Sequence, residues 1–288
     1  MNEANIGFPT LKRDGLNICK ICDGITVLFG AVDFNKSCEA QMGTEIPPAG
    51  INISYKSCSG CRFIFTNDFD DWSYDDFKKF IYNSDYLLID PDYKTIRPQM
   101  NARQISDLIF GSFDLSILDY GGGNGLFART LNEYGFLNAQ TFDPFNQEYS
   151  KEPKQKFDCI TCFETLEHVP NPIQIFKKFS EYLSDHGAII FSTALRSNPE
   201  EDDGVNWWYI GPRNGHISIF SQDALHLVCN RSGLECSSAN RYLHIAWRGG
   251  PVFFSKAFCE FFQIVENDGK FVSKNFLSDS ENSSIVWS

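Results

Sequence analysis

Apolar and polar positions follow two different rhythms along this chain, and the change falls near residue 115. From there on, short apolar runs alternate with segments of helical period. LSILDY (115–120), NAQTFD (138–143), FDCITCF (157–163) and AIIFSTA (188–194) read as strands. GLFARTLNEYG (125–135) reads as a helix that ends at Gly135, and NPIQIFKKFSEYLSDHG (171–187) as an amphipathic helix stopped by Gly187. SQDALHLVCNRSG (221–233) is a further capped helix, followed by the strand-like LECSSANRYLHIAW (234–247). Strands alternating with helices in this way predict a doubly wound, mostly parallel α/β sheet.

The first part of the chain is different. Residues 1–66 are turn-rich, with PPAG at 47–50 and SG at 59–60, and they carry paired cysteines. In 67–113 the pattern is helical with acidic breaks. DWSYDDFKKFIYNSDY (71–86) has Asp and Ser cap candidates, and DPDY (90–93) interrupts it. RPQMNARQISDLIFG (97–111) is a second helix, with Pro98 in its first turn and Gly111 as its stop. The expected organisation is therefore a cysteine-rich module (1–66), a helical linker or lid (67–113) and an α/β domain with C-terminal acceptor-binding elements (114–288). No internal repeat is present, and the polar tail 279–288 is expected to be loosely held.

A chain of 288 residues can bury one large α/β core plus a small module. Its formal net charge of -12 argues against phosphate backbones and anionic lipid surfaces as partners. The opening MNEANIGFPTLKRDG lacks the apolar core of a signal peptide, and no run approaches the ~18 apolar residues of a membrane span. The expectation is a cytoplasmic protein that binds neither nucleic acid nor membrane; oligomeric state is left open.

The sharpest chemical signal is Leu118-Asp119-Tyr120-Gly121-Gly122-Gly123-Asn124-Gly125, between a strand and a helix. Glycines there let the backbone turn tightly and approach a ligand, and the helix start offers free N–H groups. The spacing is not the G-x-G-x-x-G of dinucleotide sites, which argues against a nicotinamide dehydrogenase. A carboxylate at Asp119 would repel a pyrophosphate but suits a ligand with an amino group. Asp143, at the end of the next strand, is placed for ribose hydroxyls.

These residues resemble the class I S-adenosylmethionine-dependent methyltransferases. Asp119-x-Gly121-x-Gly123-x-Gly125 matches their first motif, and Asp143 their second acidic position. Phe157-Asp158 through Phe163-Glu164-Thr165-Leu166-Glu167-His168 matches their fourth-strand segment, and residues 187–192 the next unit. The resemblance implies a Rossmann-like fold with S-adenosylmethionine as cofactor. It implies that Gly121 and Gly123 face the methionine part, that Asp119 orients it, and that Asp143 holds the ribose. It places Phe163 and Glu164 at the cofactor edge. The stretch between Asp143 and Phe157 is too short for the helix and strand the family usually has there. Pro144, Phe145 and Asn146 are then left to flank the adenine.

Cys19-x-x-Cys22 and Cys58-x-x-Cys61 have the pairing of a closed, structural Zn2+ site, with room for a small β insertion between them. Reduced, unliganded thiols are the plainer alternative. Neither pair opens a helix after a strand, which disfavours a redox motif. Cys38 is ambiguous, while Cys159, Cys162, Cys229, Cys236 and Cys259 read as packed thiols. A cysteine module joined to this domain resembles the sugar and natural-product methyltransferases. That implies a small hydroxylated acceptor, such as a nucleotide sugar. Asp14, Asp23, Asp33, Glu39 and Glu45 make the module a poor RNA-binding surface.

Methyl transfer needs an aligned nucleophile and often a base. His168, after the fourth strand, and His216, in GPRNGHISIF, are the candidates; a neutral imidazole suits the role. His226, His186 and His244 have no comparable context. Tyr82 and Tyr86 either close over the cofactor or pack a helix. Trp207, Trp208 and Tyr209 either form an acceptor platform or fill the core. A methyltransferase of RNA or protein docking through the cysteine module, and a non-catalytic scaffold with the same fold, stay open as alternatives. So does the choice among O-, C- and N-methylation.

Overall fold

The computed structural model of the protein describes residues 8–12, 17–38, 46–196, 203–267 and 269–274. Asp14, Glu39, Glu45 and the tail 279–288 lie outside the described residues. The chain opens with strands β1 (Thr26–Asp33), β2 (Asn52–Cys58) and β3 (Ile64–Thr66), then helices α1 (Tyr74–Phe80), α2 (Tyr86–Ile89) and α3 (Ile96–Leu108). There follow β4 (Ile117–Tyr120), α4 (Leu126–Glu133), β5 (Ala139–Phe142), β6 (Phe157–Cys162), α5 (Pro172–Tyr182) and β7 (Leu183–Ser192). The last part holds β8 (Ser218–Ile219), α6 (Gln222–Arg231), β9 (Glu235–Ser238), β10 (Leu243–Trp247), α7 (Lys256–Phe261), β11 (Ile264–Asn267) and β12 (Lys270–Ser273).

The central sheet has the order β5-β4-β6-β7-β10-β9. Its first four strands are parallel, and β10 is antiparallel to both β7 and β9. Period-two alternation divides each strand between two cores. Ile117, Cys159, Ala188 and Ile190 face α3, α4 and α7. Leu118, Ile160, Ile189 and Phe191 face α5 and α6. Helices on both faces make the sheet Rossmann-like and doubly wound, as the sequence predicts. From Asp143 to Lys156 no helix or strand forms, so β5 is the edge of the sheet.

Two sequence expectations are corrected. Helix α5 ends at Tyr182 and β7 starts at once at Leu183, so Gly187 lies inside a strand and stops no helix. The register slips there: Phe157 pairs with Leu183, but Cys159 pairs with Ala188. At this bulge a Cβ on Gly187 would stand 2.9 Å from Leu183 and 3.0 Å from the Phe157 carbonyl, which leaves room for glycine alone. The 234–247 segment is a hairpin of two strands rather than one.

A second sheet, β1-β2-β3-β8, is antiparallel throughout. Its last strand comes from the far part of the chain, where Ile219 pairs with Ile64 and Ser218 with Phe65. This sheet packs with α1 and α2 around Ile53, Tyr55, Phe69, Trp72 and Phe77. Ser73 and Asp76 form a reciprocal capping box that sets the start of α1.

Candidate functional site

The C-terminal ends of β4, β5 and β6 open into a cavity of about 1480 Å³, roofed by α1, α2 and the start of α3. This is where open α/β sheets take their ligands. Asp119 is the last but one residue of β4 and is buried on the cavity floor. Burial first, and the charge of Asp143 second, push its pKa up to about 7; the Thr161 and Thr141 hydroxyls partly offset this. Such a carboxylate lacks a cation.

The loop that follows is set by positive φ at Gly121 (76°), Gly123 (57°) and Gly125 (73°). Asp143 braces it: one carboxylate oxygen accepts the Gly123 N–H at 2.8 Å, the other the Phe145 N–H at 2.7 Å. The Asn146 amide donates to the Gly123 carbonyl at 2.8 Å. Asp143 and the loop are thus one unit across the β4–β5 gap. Pro144, Phe145 and Asn146 line the cavity beside it, and the Phe145 ring meets Tyr74, Phe77 and Tyr82.

On the other wall, Phe163 and Glu164 follow β6 and line the cavity. Glu164 has φ 48°, a strained setting for a residue with a side chain. Ser192 holds it, accepting its N–H and donating to its carboxylate, both at 2.8 Å. Arg97 of α3 lies 3.6 Å from the same carboxylate and grips Asp90 with both terminal nitrogens. This ties the roof helices to the β6 loop. Tyr82 and Tyr86 line the cavity edge to face at 5.1 Å.

Both candidate histidines reach the cavity, and they reach each other: the rings of His168 and His216 are 5.0 Å apart. Burial pushes the pKa of His168 down to about 4 and that of His216 well below its usual value, so both are neutral near pH 7. Tyr209 fixes the ring of His216 by a 2.8 Å bond between its carbonyl and Nδ1. Cys38 packs its thiol on the same nitrogen at 3.4 Å. Glu167, to which the sequence pattern gave no role, completes the group. It is fully buried, and its Oε1 is 3.9 Å from His168 Nε2. Its signal in the sequence was an acid directly before a histidine at the end of an apolar strand.

The acceptor-platform reading of Trp207, Trp208 and Tyr209 is not met. None of the three lines the cavity; they pack with the core of the second sheet. His226, His186 and His244 also lie off the cavity. His244 is buried between Ser238 and Thr193.

The four paired cysteines converge. Their sulfurs all lie within 4.8 Å of one another, with Cys19–Cys61 at 3.5 Å and Cys22–Cys58 at 3.3 Å. A tetrahedral ion at ~2.3 Å from each sulfur needs separations of about 3.8 Å, so the set fits one. The two turns are alike. Asp23 N–H bonds to Cys19 O at 3.2 Å and Arg62 N–H to Cys58 O at 3.0 Å; each donor is left-handed. Both turns hold α6: Ser221 donates to the Cys61 carbonyl at 2.5 Å, and Arg231 to the Ile21 carbonyl. Lys20, inside the first turn, reaches the cavity wall and pairs with Asp70.

The protonation of Asp119 gives a testable pH dependence. The sequence assigns Asp119 to the ammonium of the ligand; under that assignment a proton must leave the carboxyl before the cation can pair with it below pH ~7. Affinity for S-adenosylhomocysteine is expected to be flat above pH 7 and to fall about tenfold per unit below it. Calorimetric titrations from pH 5.5 to 8.5 check this; Asp119→Asn should remove the slope, and an equal slope in that variant refutes the assignment.

Residues 92–239, just over half of the chain, match the sequence profile of a family described as a methyltransferase domain. Two curated relatives are each named ubiquinone biosynthesis O-methyltransferase. The one from Glaesserella parasuis serovar 5 is 31% identical over 135 aligned positions, covering 37% of this chain and 57% of the relative. The one from Colwellia psychrerythraea is 30% identical over 111, covering 30% and 45%. The chain thus spans about half the length of the curated relatives it matches. Among solved structures it is similar to an O-methyltransferase family protein from Burkholderia thailandensis, with TM-score 0.43, 15% identity, 53% of this chain and 57% of that one covered. Streptomyces venezuelae DesVI gives TM-score 0.40, 16% identity and coverage of 58% and 97%. The matched profile begins in the roof and ends in β9, taking in the whole glycine loop and both cavity walls, and the chain belongs to this methyltransferase-domain family, as a class I S-adenosylmethionine-dependent member.

Proposed function

We propose that this protein moves a methyl group from S-adenosylmethionine to an oxygen of a small hydroxylated acceptor. The observation that supports this most is the shared cavity. The Asp119–Asp143 floor and the His168–His216 corner face one space, larger than a cofactor alone needs, with Glu167 buried directly behind His168. In this reading Asp119 takes the ammonium of the cofactor, Gly121 and Gly123 face its methionine part, Gly125 turns the cofactor loop into α4, and Asp143 takes the ribose. Pro144 and Phe145 flank the adenine; Phe163, Glu164, Tyr82 and Tyr86 close the site. His168, with His216 behind it, serves the proton of the acceptor.

The cofactor when bound supplies an electrophilic methyl on a sulfonium. The chain orients acceptor and methyl, excludes water with its aromatic roof, and offers a neutral imidazole to the hydroxyl. An oxygen acceptor agrees with the names of the relatives, all given as O-methyltransferases. Two acceptor classes follow: nucleotide-linked sugars, from the resemblance that the cysteine module carries, and hydroxylated aromatic compounds, from Tyr82, Tyr86, Tyr93 and Phe145 in the wall. Nucleic acid fits poorly with the charge of -12. Among the described residues no helix is long and apolar enough to cross a membrane.

The division into a cysteine module (1–66), a roof (67–113) and a transferase domain (114–288) is part of this proposal, with structural Zn2+ on Cys19, Cys22, Cys58 and Cys61. The first experiment is calorimetric titration with S-adenosylhomocysteine, with NAD as control, then a labelled-methyl screen over both acceptor classes. Micromolar binding of the first ligand alone is expected. With a working acceptor, His168→Ala should lower kcat by about 10²- to 10⁴-fold and leave cofactor affinity within about threefold. Absence of binding, or of any effect in that variant, defeats the reading.

A further inference from the structure

Buried carboxylates are bonded or paired in folded proteins, because an unpartnered one is costly. Glu167 breaks this rule. It is 0% exposed, and neither of its oxygens has a hydrogen-bond partner. The hydroxyls of Thr193 and Tyr209 meet each other at 3.3 Å, which uses one of their two protons, and reach the carboxylate only by contacts longer than a normal hydrogen bond. What does face the carboxylate is imidazole. One ligand atom from each of Glu167, His168 and His216 lies within 4.8 Å of the other two.

The outer contacts sharpen this. His216 has its Nδ1 tied to the Tyr209 carbonyl at 2.8 Å, so that nitrogen carries the proton and Nε2 keeps a free lone pair. The backbone of Gly215 stands against Nδ1 of His168, close enough that a Cβ would be 2.9 Å away, and leaves Nε2 on the Glu167 side. Two converging imidazoles, that of His216 fixed through Nδ1, and one carboxylate with no partner at hydrogen-bond distance are a divalent-cation donor set. Nearby positive charge is accounted for: Arg97 is paired with Asp90 and Glu164, and Lys36 donates to the carbonyls of Trp207 and Ile210.

We infer that Glu167, His168 and His216 bind a divalent metal ion whose open side faces the cavity, where it takes an oxygen of the acceptor. The inference rests on the proposed transfer to oxygen and deepens it. The ion supplies Lewis acidity that makes the acceptor hydroxyl a better nucleophile. His168 and His216 then act as ligands, and the hydroxyl proton leaves to solvent or buffer. The site is separate from the four-cysteine cluster and differs in chemistry, with nitrogen and oxygen donors in place of sulfur.

That difference supplies the probe. Manganous ion prefers oxygen and nitrogen donors and is a poor match for four thiolates. Titration of the full chain with MnCl2, in the presence of S-adenosylhomocysteine and followed by the loss of the free-ion electron paramagnetic resonance signal, is expected to show one site. Glu167→Gln should weaken binding at least tenfold, keep affinity for S-adenosylhomocysteine, and unfold at the same or a higher temperature, since an amide of the same shape replaces a buried acid that is costly to ionise. A His216→Gln variant should lose the site as well. No manganese bound by the wild-type chain, or equal binding in Glu167→Gln, overturns the inference. Intact S-adenosylhomocysteine binding in that outcome leaves the transferase reading standing, with His168 as the base.

Discussion

Gly122→Ala should abolish binding of S-adenosylhomocysteine, lowering affinity at least about 100-fold, or ~2.7 kcal/mol. Gly122 has no left-handed φ, so the reason is space. A Cβ there would stand 1.9 Å from Asp119 Oδ2 and 2.8 Å from the Thr141 methyl. Asp119 is held in place on the floor by the hydroxyls of Thr161 and Thr141. The collision therefore either turns the carboxylate away from the ligand or lifts the loop. Gly123→Ala is the control. Nothing lies within 4 Å of its Cβ, and the cost is that of φ 57°, ~1–2 kcal/mol. Calorimetry checks the order, with circular dichroism to show that both variants fold. Affinity within threefold of wild type in Gly122→Ala would mean that the floor is not where the ligand binds.

The four-cysteine cluster carries the second large effect. Cys58→Ser, or chelation of the native protein, is expected to lower the melting temperature by roughly 10–20 °C. A closed tetrathiolate site contributes several kcal/mol to folding, and ~5 kcal/mol corresponds to that shift in a domain of this size. The loss should not be confined to the module. Cys19, Cys58 and Cys61 lie in the same core as Leu118, Ile160 and Phe176, and both cysteine turns hold α6. Cofactor affinity should fall with it. Differential scanning calorimetry with and without chelator, beside a zinc assay of the purified chain, decides the matter; a metal-free protein indifferent to chelator refutes the zinc assignment.

Much of the domain was legible because its strands and helices differ in period. The capping residues Ser73 and Ser221 marked helix starts correctly, and Gly121, Gly123 and Gly125 marked the loop. The helix stop at Gly187 failed because a glycine needed for a strand bulge looks the same in sequence as one that ends a helix. The sites were legible where chemistry repeats at short range, as in the two cysteine pairs. They were illegible where the chain meets itself at a distance. The Arg97–Asp90–Glu164 pairing and the approach of His216 to Glu167 are set by tertiary packing, and no local pattern announces them. Trp207 and Tyr209 show the converse, since rings that could bind a ligand also fill a core.

The pairing of β3 with β8 has a consequence for synthesis. Residues 64–66 leave the ribosome long before residues 218–219 exist. At about 5–20 residues per second the wait is roughly 10–30 s. Through that interval the Ile64–Phe65 edge, buried in the finished protein, has no strand to cover it. A nascent chain stalled before residue 219 would present the first three strands as an adhesive edge, a natural target for a chaperone, and the module would reach its native form only after most of the transferase domain has emerged.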